Sequence, residues 1–389
     1  MSGSGDMKTT MRGAPELGTT GDGARGGERP VGQVVLVLQG GGALGAYQAG
    51  VYQALAEGGV EPDWVIGTSI GAINAAIIAG NPPQSRLERL QMFWSRVGGG
   101  PFGDAWRPSI VGNALASLQT LAYGVPSFFH PNFAAMWNLH LPLGIERAAF
   151  YSTEPLRTTL AELIDFAYID AMEMRITVGA VNARTGRMRY FDCRDSKVRL
   201  EHVMASGALP PAFPAVCIEG EPYWDGGIYS NTPIEVVLDD NPRRDSLIFS
   251  VNMWRAEGAE PKSIWQVLGR HKDIQYGSRL ESHIARQEQI HRLRHVVRQL
   301  VERIPADRQQ DPETRELASY GCRTTMHLVR LLAPSLDHED HTKDIDFTRD
   351  GIRTRWDAGY AQTKRVLERK PWQGNLDPLQ AVVVHRHDT

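Results

Sequence analysis

The patterned part of the chain begins with an unbroken apolar run, Val34-Val35-Leu36-Val37-Leu38. Five apolar residues without polar alternation read as a parallel strand buried on both faces. A helix is expected over Ala46–Glu57, and a second apolar run, Trp64-Val65-Ile66, leads into a helix of small residues over 72–79. Pro83–Val97 reads as a helix that stops at Gly98-Gly99-Gly100-Pro101, and Pro155 opens another that runs through Phe166. Strands fall at Arg175–Asn182 and 187–192, and Ser246–Asn252 is the last clear strand. Strands and helices that alternate in this way predict a three-layer α/β/α domain.

From about Glu260 the pattern changes to charged helices. Ile290, Leu293, Val297, Leu300 and Ile304 keep a helical spacing of three and four, and Ile352, Trp356, Tyr360 and Leu367 mark a second stripe. The expected organisation is a leader at 1–32, an α/β domain at 33–258 and a helical C-terminal domain at 259–389. The leader is rich in glycine and poor in apolar residues, which predicts disorder and neither a signal peptide nor a membrane anchor. Residues 101–148 form a weakly patterned insertion carrying Trp106, Phe128, Phe129, Phe133 and Trp137. These aromatics are either ordinary core or an acyl-binding wall beside the 72–79 helix.

Three glycine-marked turns carry candidate chemistry. Gly67-Thr68-Ser69-Ile70-Gly71 lies between a strand and a helix, the setting that lifts a serine hydroxyl clear of its surroundings and aims a helix N-terminus at it. Ser69 is either a nucleophile or a buried turn serine that caps the helix. Gln39-Gly40-Gly41-Gly42-Ala43-Leu44-Gly45 follows the first strand, and its bare N–H groups suit a phosphate or an oxyanion. Its Gly-x-Gly-x-x-Gly spacing also spells a dinucleotide fingerprint, but Asp63 precedes the second strand instead of ending it, which argues against that reading. The third turn, Asp225-Gly226-Gly227, is by itself an ordinary turn sequence.

Taken together and in this order, the three turns resemble the patatin-like phospholipase family. The resemblance spans about residues 33–255 and includes the stretch Ala205-Ser206-Gly207-Ala208-Leu209-Pro210-Pro211-Ala212-Phe213-Pro214. It implies a serine acyl-ester hydrolase with Ser69 as nucleophile, Asp225 as its partner in a dyad without histidine, and Gly40, Gly41 and Gly42 as the oxyanion hole. Two positions depart from the family pattern, Gln39 where relatives carry aspartate and Leu44 where they carry a basic residue. Losing that cation leaves oxyanion stabilisation to backbone N–H groups and predicts a preference for neutral over anionic lipids. The tail is similar to a C-terminal domain attached to some bacterial members. Two alternatives are an inactive patatin-fold lipid-binding scaffold and a Ser-His-Asp hydrolase. In the latter the nucleophile normally follows several strands and a histidine follows the acid.

Composition narrows the picture further. The chain has 389 residues, 42% of them apolar, and a net charge of −3, which gives no reason to expect a nucleic-acid partner. Residues 261–370 hold 21 Lys and Arg against 16 Asp and Glu. This surplus reflects either solvated helix faces or a surface for anionic lipid. Three scattered cysteines, Cys193, Cys217 and Cys322, suit a reducing compartment, and no metal or cofactor is implied. The expected partner is a lipid or ester substrate and the expected location is cytoplasmic, with peripheral membrane contact left open. Oligomeric state is not legible.

Overall fold

The computed structural model describes residues 32–99, 118–137, 139–140, 142–336, 341–374 and 380–386. Trp106, named above, lies outside them, as does most of the leader. Nine strands build one sheet: β1 (Gln33–Leu38), β2 (Trp64–Thr68), β3 (Arg175–Asn182), β4 (Met188–Asp192), β5 (Val216–Ile218), β6 (Glu221–Asp225), β7 (Ser246–Asn252), β8 (Met326–Leu332) and β9 (Val382–Arg386). The order across it is β9-β8-β7-β1-β2-β3-β6-β5, with β4 also paired to β3. From β9 through β3 all pairings are parallel, whereas β4, β5 and β6 run antiparallel to their partners.

Helices α1 (Ala46–Glu57), α2 (Ile70–Ala79), α3 (Pro83–Val97), α4 (Glu154–Leu163), α5 (Leu200–Ser206), α6 (Ile264–Glu302) and α7 (Arg349–Arg369) complete the main elements. The alternation of side chains along β1 divides them into layers. Leu36 and Leu38 pack into the large core with α1, α2 and α3, while Val35 and Val37 face a second core that contains Leu280 and Ile284 of α6. The predicted three layers are therefore present, and the second helical layer comes from the C-terminal region.

That region differs from the expected pattern in two respects. Ser246–Asn252 is not the last strand: β8 pairs with it in parallel along its whole length, and β9 follows. The apolar stripe through Leu293 and Leu300 is not the buried one either, since both side chains are largely exposed. The buried face of α6 is Gly277, Leu280, Ile284, Gln287, His291 and His295. Its polar members hide the stripe in the sequence, yet each finds a partner. Gln287 donates to Asp239 (3.0 Å), and the His291 and His295 rings sit 2.8 and 2.9 Å from the Leu238 and Thr324 carbonyls.

The second predicted stripe is realised at three of its four positions: Ile352 is buried and Trp356 and Leu367 pack against the main core, whereas the Tyr360 hydroxyl donates to Glu57 at an exposed site. There α7 lies so close to α1 that a Cβ on Gly50 would come 1.9 Å from the Trp356 carbonyl, and one on Gly359 2.1 Å from that of Tyr47. Only glycines permit this contact.

Candidate active site

The first two glycine-marked turns emerge at the carboxyl ends of neighbouring parallel strands, the usual ligand-binding edge of such sheets. After β2 the chain reverses at Ser69, whose φ of 57° and ψ of −127° place a non-glycine residue in a strained region. The turn is held from both sides. The Ser69 N–H donates to Ser206 Oγ (3.0 Å), and the Ser206 hydroxyl donates to the Gly179 carbonyl (2.7 Å). A Cβ on Gly67 would meet the Gly71 carbonyl oxygen at 2.3 Å, and one on Gly71 would meet that of Leu38 at 2.2 Å. Glycine at both ends of the motif is thus a packing requirement. Ser69 makes no side-chain cap to α2, so the helix-capping reading does not describe it.

Asp225 ends β6 and is buried, 2% exposed. Its Oδ1 accepts the Gly227 N–H at 2.7 Å. Burial pushes the Asp225 pKa up to about 7, only partly offset by the Ser69 side chain and the Gly227 N–H, which favour the charged form. The structure therefore brings together the two residues singled out from turns more than 150 positions apart.

The glycine loop stands over this pair. Gly40 exchanges backbone and side-chain hydrogen bonds with Asn231: its N–H donates to the Asn231 carbonyl (3.1 Å), and the Asn231 amide donates to the Gly40 carbonyl (3.1 Å). The Trp254 indole donates to the same carbonyl at 2.8 Å. The Gly40 amide is thus already engaged. What the site uses at this position is the missing side chain, because a Cβ would lie 2.3 Å from Asn231 Oδ1 and 3.1 Å from Ser69 Cβ. Gly41 and Gly42 line the cavity that holds Ser69 and Asp225.

The two departures from the family pattern acquire physical reasons here. Gln39 is fully buried; its amide nitrogen donates to Thr232 Oγ1 (2.7 Å) and the Tyr276 carbonyl (3.2 Å), while its oxygen accepts the N–H groups of Met253 and Trp254. An aspartate has no donor for the first two. Leu44 is also buried, 3% exposed, and borders a narrow cleft lined by Arg255, Lys343 and Arg355. It does not line the cavity that holds Ser69 and Asp225, and cations are already gathered around it.

The cavity itself measures about 170 Å³ and is mainly apolar. Ile73, Phe128, Phe129 and Phe213 form one wall, so two aromatics of the 101–148 insertion are indeed beside the nucleophile, whereas Phe133 and Trp137 are solvent-exposed. Another part of the lining was invisible in the sequence: Tyr276 comes from α6, and Asp344, Ile345 and Phe347 from the segment before α7, where the Phe347 ring packs 5.6 Å from that of Phe128. Lys272 holds Asp344 at 2.7 Å, and Lys343 pairs with Asp273 at 2.7 Å, so two crossed ion pairs pin that segment to α6. No motif announces these residues. Ser206 and Asn231 also escaped notice individually, although Ser206 lies in a stretch that carried the resemblance.

Among the described residues no histidine lines the cavity. His202 accepts the Arg199 N–H at 2.8 Å at the start of α5, with its ring against Phe191. Asp63, the residue a dinucleotide site would need, accepts the Val34 N–H at 2.8 Å, at the far end of β1 from the glycine loop. Among the described residues no helix is long and apolar enough to cross a membrane.

Comparison with known proteins finds family models, curated relatives and solved structures similar to this chain. The family model described as patatin-like phospholipase matches residues 36–238, and another described as patatin phospholipase matches residues 274–379. Lysophospholipase nte1 of Aspergillus terreus is 26% identical over 201 residues, 52% of this chain and 11% of that protein. Lysophospholipase NTE1 of Yarrowia lipolytica is 21% identical over 265 residues, 64% of this chain and 16% of that protein. The chain thus spans only a small fraction of the length of these relatives. Among solved structures, VipD from Legionella pneumophila aligns with 87% of this chain and 67% of its own, at 15% identity and a TM-score of 0.39. With over half of its length matched by the family model, the chain belongs to the patatin-like phospholipase family.

Proposed function

We propose that the chain is a serine lipid acyl hydrolase that works through Ser69 and Asp225 alone. The observation that carries this reading is that Ser69, at its strained turn, and the buried carboxylate of Asp225 line one apolar cavity, with the serine side chain favouring the charged carboxylate. Ser69 Oγ attacks the ester carbonyl carbon and its proton passes to Asp225, while the N–H groups of Gly41 and Gly42 receive the oxyanion. Collapse of the tetrahedral intermediate breaks the ester C–O bond, and Asp225 returns the proton to the departing alcohol. Water then attacks the acyl-serine, giving its proton to Asp225, and the fatty acid leaves as Ser69 is reprotonated. A carboxylate at its ordinary pKa near 3.8 is a feeble base, and the raised value supports this role. The aromatic wall of Phe128, Phe129 and Phe213 suits an acyl chain.

Labelling with a fluorophosphonate probe tests the reading directly. Covalent modification at Ser69 is expected, and Ser69→Ala and Asp225→Asn should each lower ester hydrolysis by roughly three orders of magnitude or more without unfolding the chain. An unlabelled, folded protein that still binds lipid would make it a scaffold instead.

A further inference from the structure

The wall of the cavity that carries Phe128 and Phe129 continues outward into a surface of unusual composition. From Leu118 to Ile145 the sequence contains no Asp, Glu, Lys or Arg, in a chain of which 22% is charged. This is not a buried segment. Trp137 is 90% exposed, Phe133 74% and Leu118 60%. Leu121, itself 45% exposed, lines the cavity, and its carbonyl accepts the Tyr151 hydroxyl at 2.8 Å, so the exposed surface and the wall are one structure. A second exposed apolar pair, Ile264 and Trp265, opens α6, the helix that sends Tyr276 to the cavity. The Trp265 ring stacks on His341 at 4.4 Å, at the head of the segment that reaches the cavity through Asp344.

We propose that this uncharged surface docks the protein on the interfacial region of a phospholipid bilayer and brings the cavity mouth to its substrate. The inference rests on the lipid-hydrolase reading of the same site. Exposed apolar side chains lose little by remaining in water singly, but a contiguous patch gains when transferred to the acyl boundary, and aromatic rings favour that depth. A surface without formal charge avoids the largest desolvation penalty there, that of an unpaired ion. The basic residues of the C-terminal region are a poorer anchor. Lys272, Lys343 and Arg355 are committed to Asp344, Asp273 and Asp346, while Arg330 and Arg386 share Glu281.

Co-sedimentation of the full chain with phosphatidylcholine vesicles, in low salt and in 1 M salt where charge attraction is screened to about 3 Å, is the test. Binding should persist at high salt, and the double variant Phe133→Ser with Trp137→Ser should bind at least tenfold more weakly while cleaving a soluble short-chain ester within twofold of the parent. Should that variant fail to fold, Ile264→Ser with Trp265→Ser provides an independent reduction in binding. The proposal is overturned by unchanged vesicle binding in a folded variant, by binding that vanishes in salt, or by a parent dimer that the substitutions convert to monomer. A parent that binds vesicles but cleaves no ester would refute the hydrolase reading and leave the docking surface standing.

Discussion

The elbow around Ser69 and the C-terminal wall around Tyr276 and Phe347 border one cavity, yet they are encoded in opposite ways. At the elbow the motif residues lie within five positions, and backbone geometry imposes their types: glycines where carbonyls approach within van der Waals distance and a serine at a strained φ. The wall is assembled from α6 and the segment before α7, some 70 residues apart, and its residues would be unremarkable on any surface. Reacting groups need a fixed local geometry, whereas a binding wall needs only bulk and polarity at the right place.

The comparison is broken most severely by removing one region. Truncation after residue 258 should abolish cooperative folding, because it strips β7 of its edge partner β8 and exposes Val35, Val37, Ile66 and Ile248, which Leu280 and Ile284 otherwise cover. Circular dichroism and thermal melts check this; a folded, active truncate would show that the wall is a true appendage. The contrast is sharp because Ser69→Ala, at the other wall, should silence the enzyme and leave its melt intact.

Next in size is Leu44→Arg. Restoring the basic residue of the family pattern places a charge in the core beside Arg255, Lys343 and Arg355, at an expected cost of roughly 3–5 kcal/mol in urea unfolding. The simple expectation from the sequence, that such a change improves acidic phospholipid turnover, is replaced by a loss of stability.

Asp225 links the two walls to pH. Its folded pKa, about 7, lies above the unfolded value near 3.8, so the native state holds the extra proton between them and stability falls as pH rises through that window. Ester hydrolysis should move the other way, rising with pH towards a plateau above about 7. Asp225→Asn, measured at pH 8, should therefore be inactive yet more stable than the parent, by on the order of 2 kcal/mol. A melt unchanged at pH 8 and raised at pH 4 would contradict the assignment. The smallest expected effect concerns the wall alone. Phe347→Ala should raise KM for long-chain esters about tenfold and leave kcat for a short-chain ester nearly unchanged, as steady-state kinetics on a chain-length series would reveal.

Legibility followed burial chemistry. Strands β1, β2, β3, β4 and β7 and the helices α1 and α3 were readable because each keeps one dominant period, whereas the three-residue β5 is too short to leave such a pattern. Strands β8 and β9 were not, since Arg330, His327 and His385 interrupt them at a sheet edge where polar side chains reach solvent or each other. Along α6 the apolar spacing of Leu293 and Leu300 pointed to the wrong face, because the buried one contains two histidines and a glutamine that each reach a carbonyl or carboxylate from a distant turn.

By itself, then, the sequence determined the family, the α/β order of the first 250 residues and the positions of Ser69 and Asp225, since each depends on local backbone geometry or on a run of apolar side chains. Tertiary structure decided that the Gly40 amide is engaged by Asn231, that Gln39 joins four segments, that Leu44 is core, and that the C-terminal region both builds the second helical layer and lends Tyr276, Asp344, Ile345 and Phe347 to the cavity. Those outcomes depend on which partners meet across hundreds of positions, and hydrogen bonds and close packing between such partners leave no periodic trace in the chain.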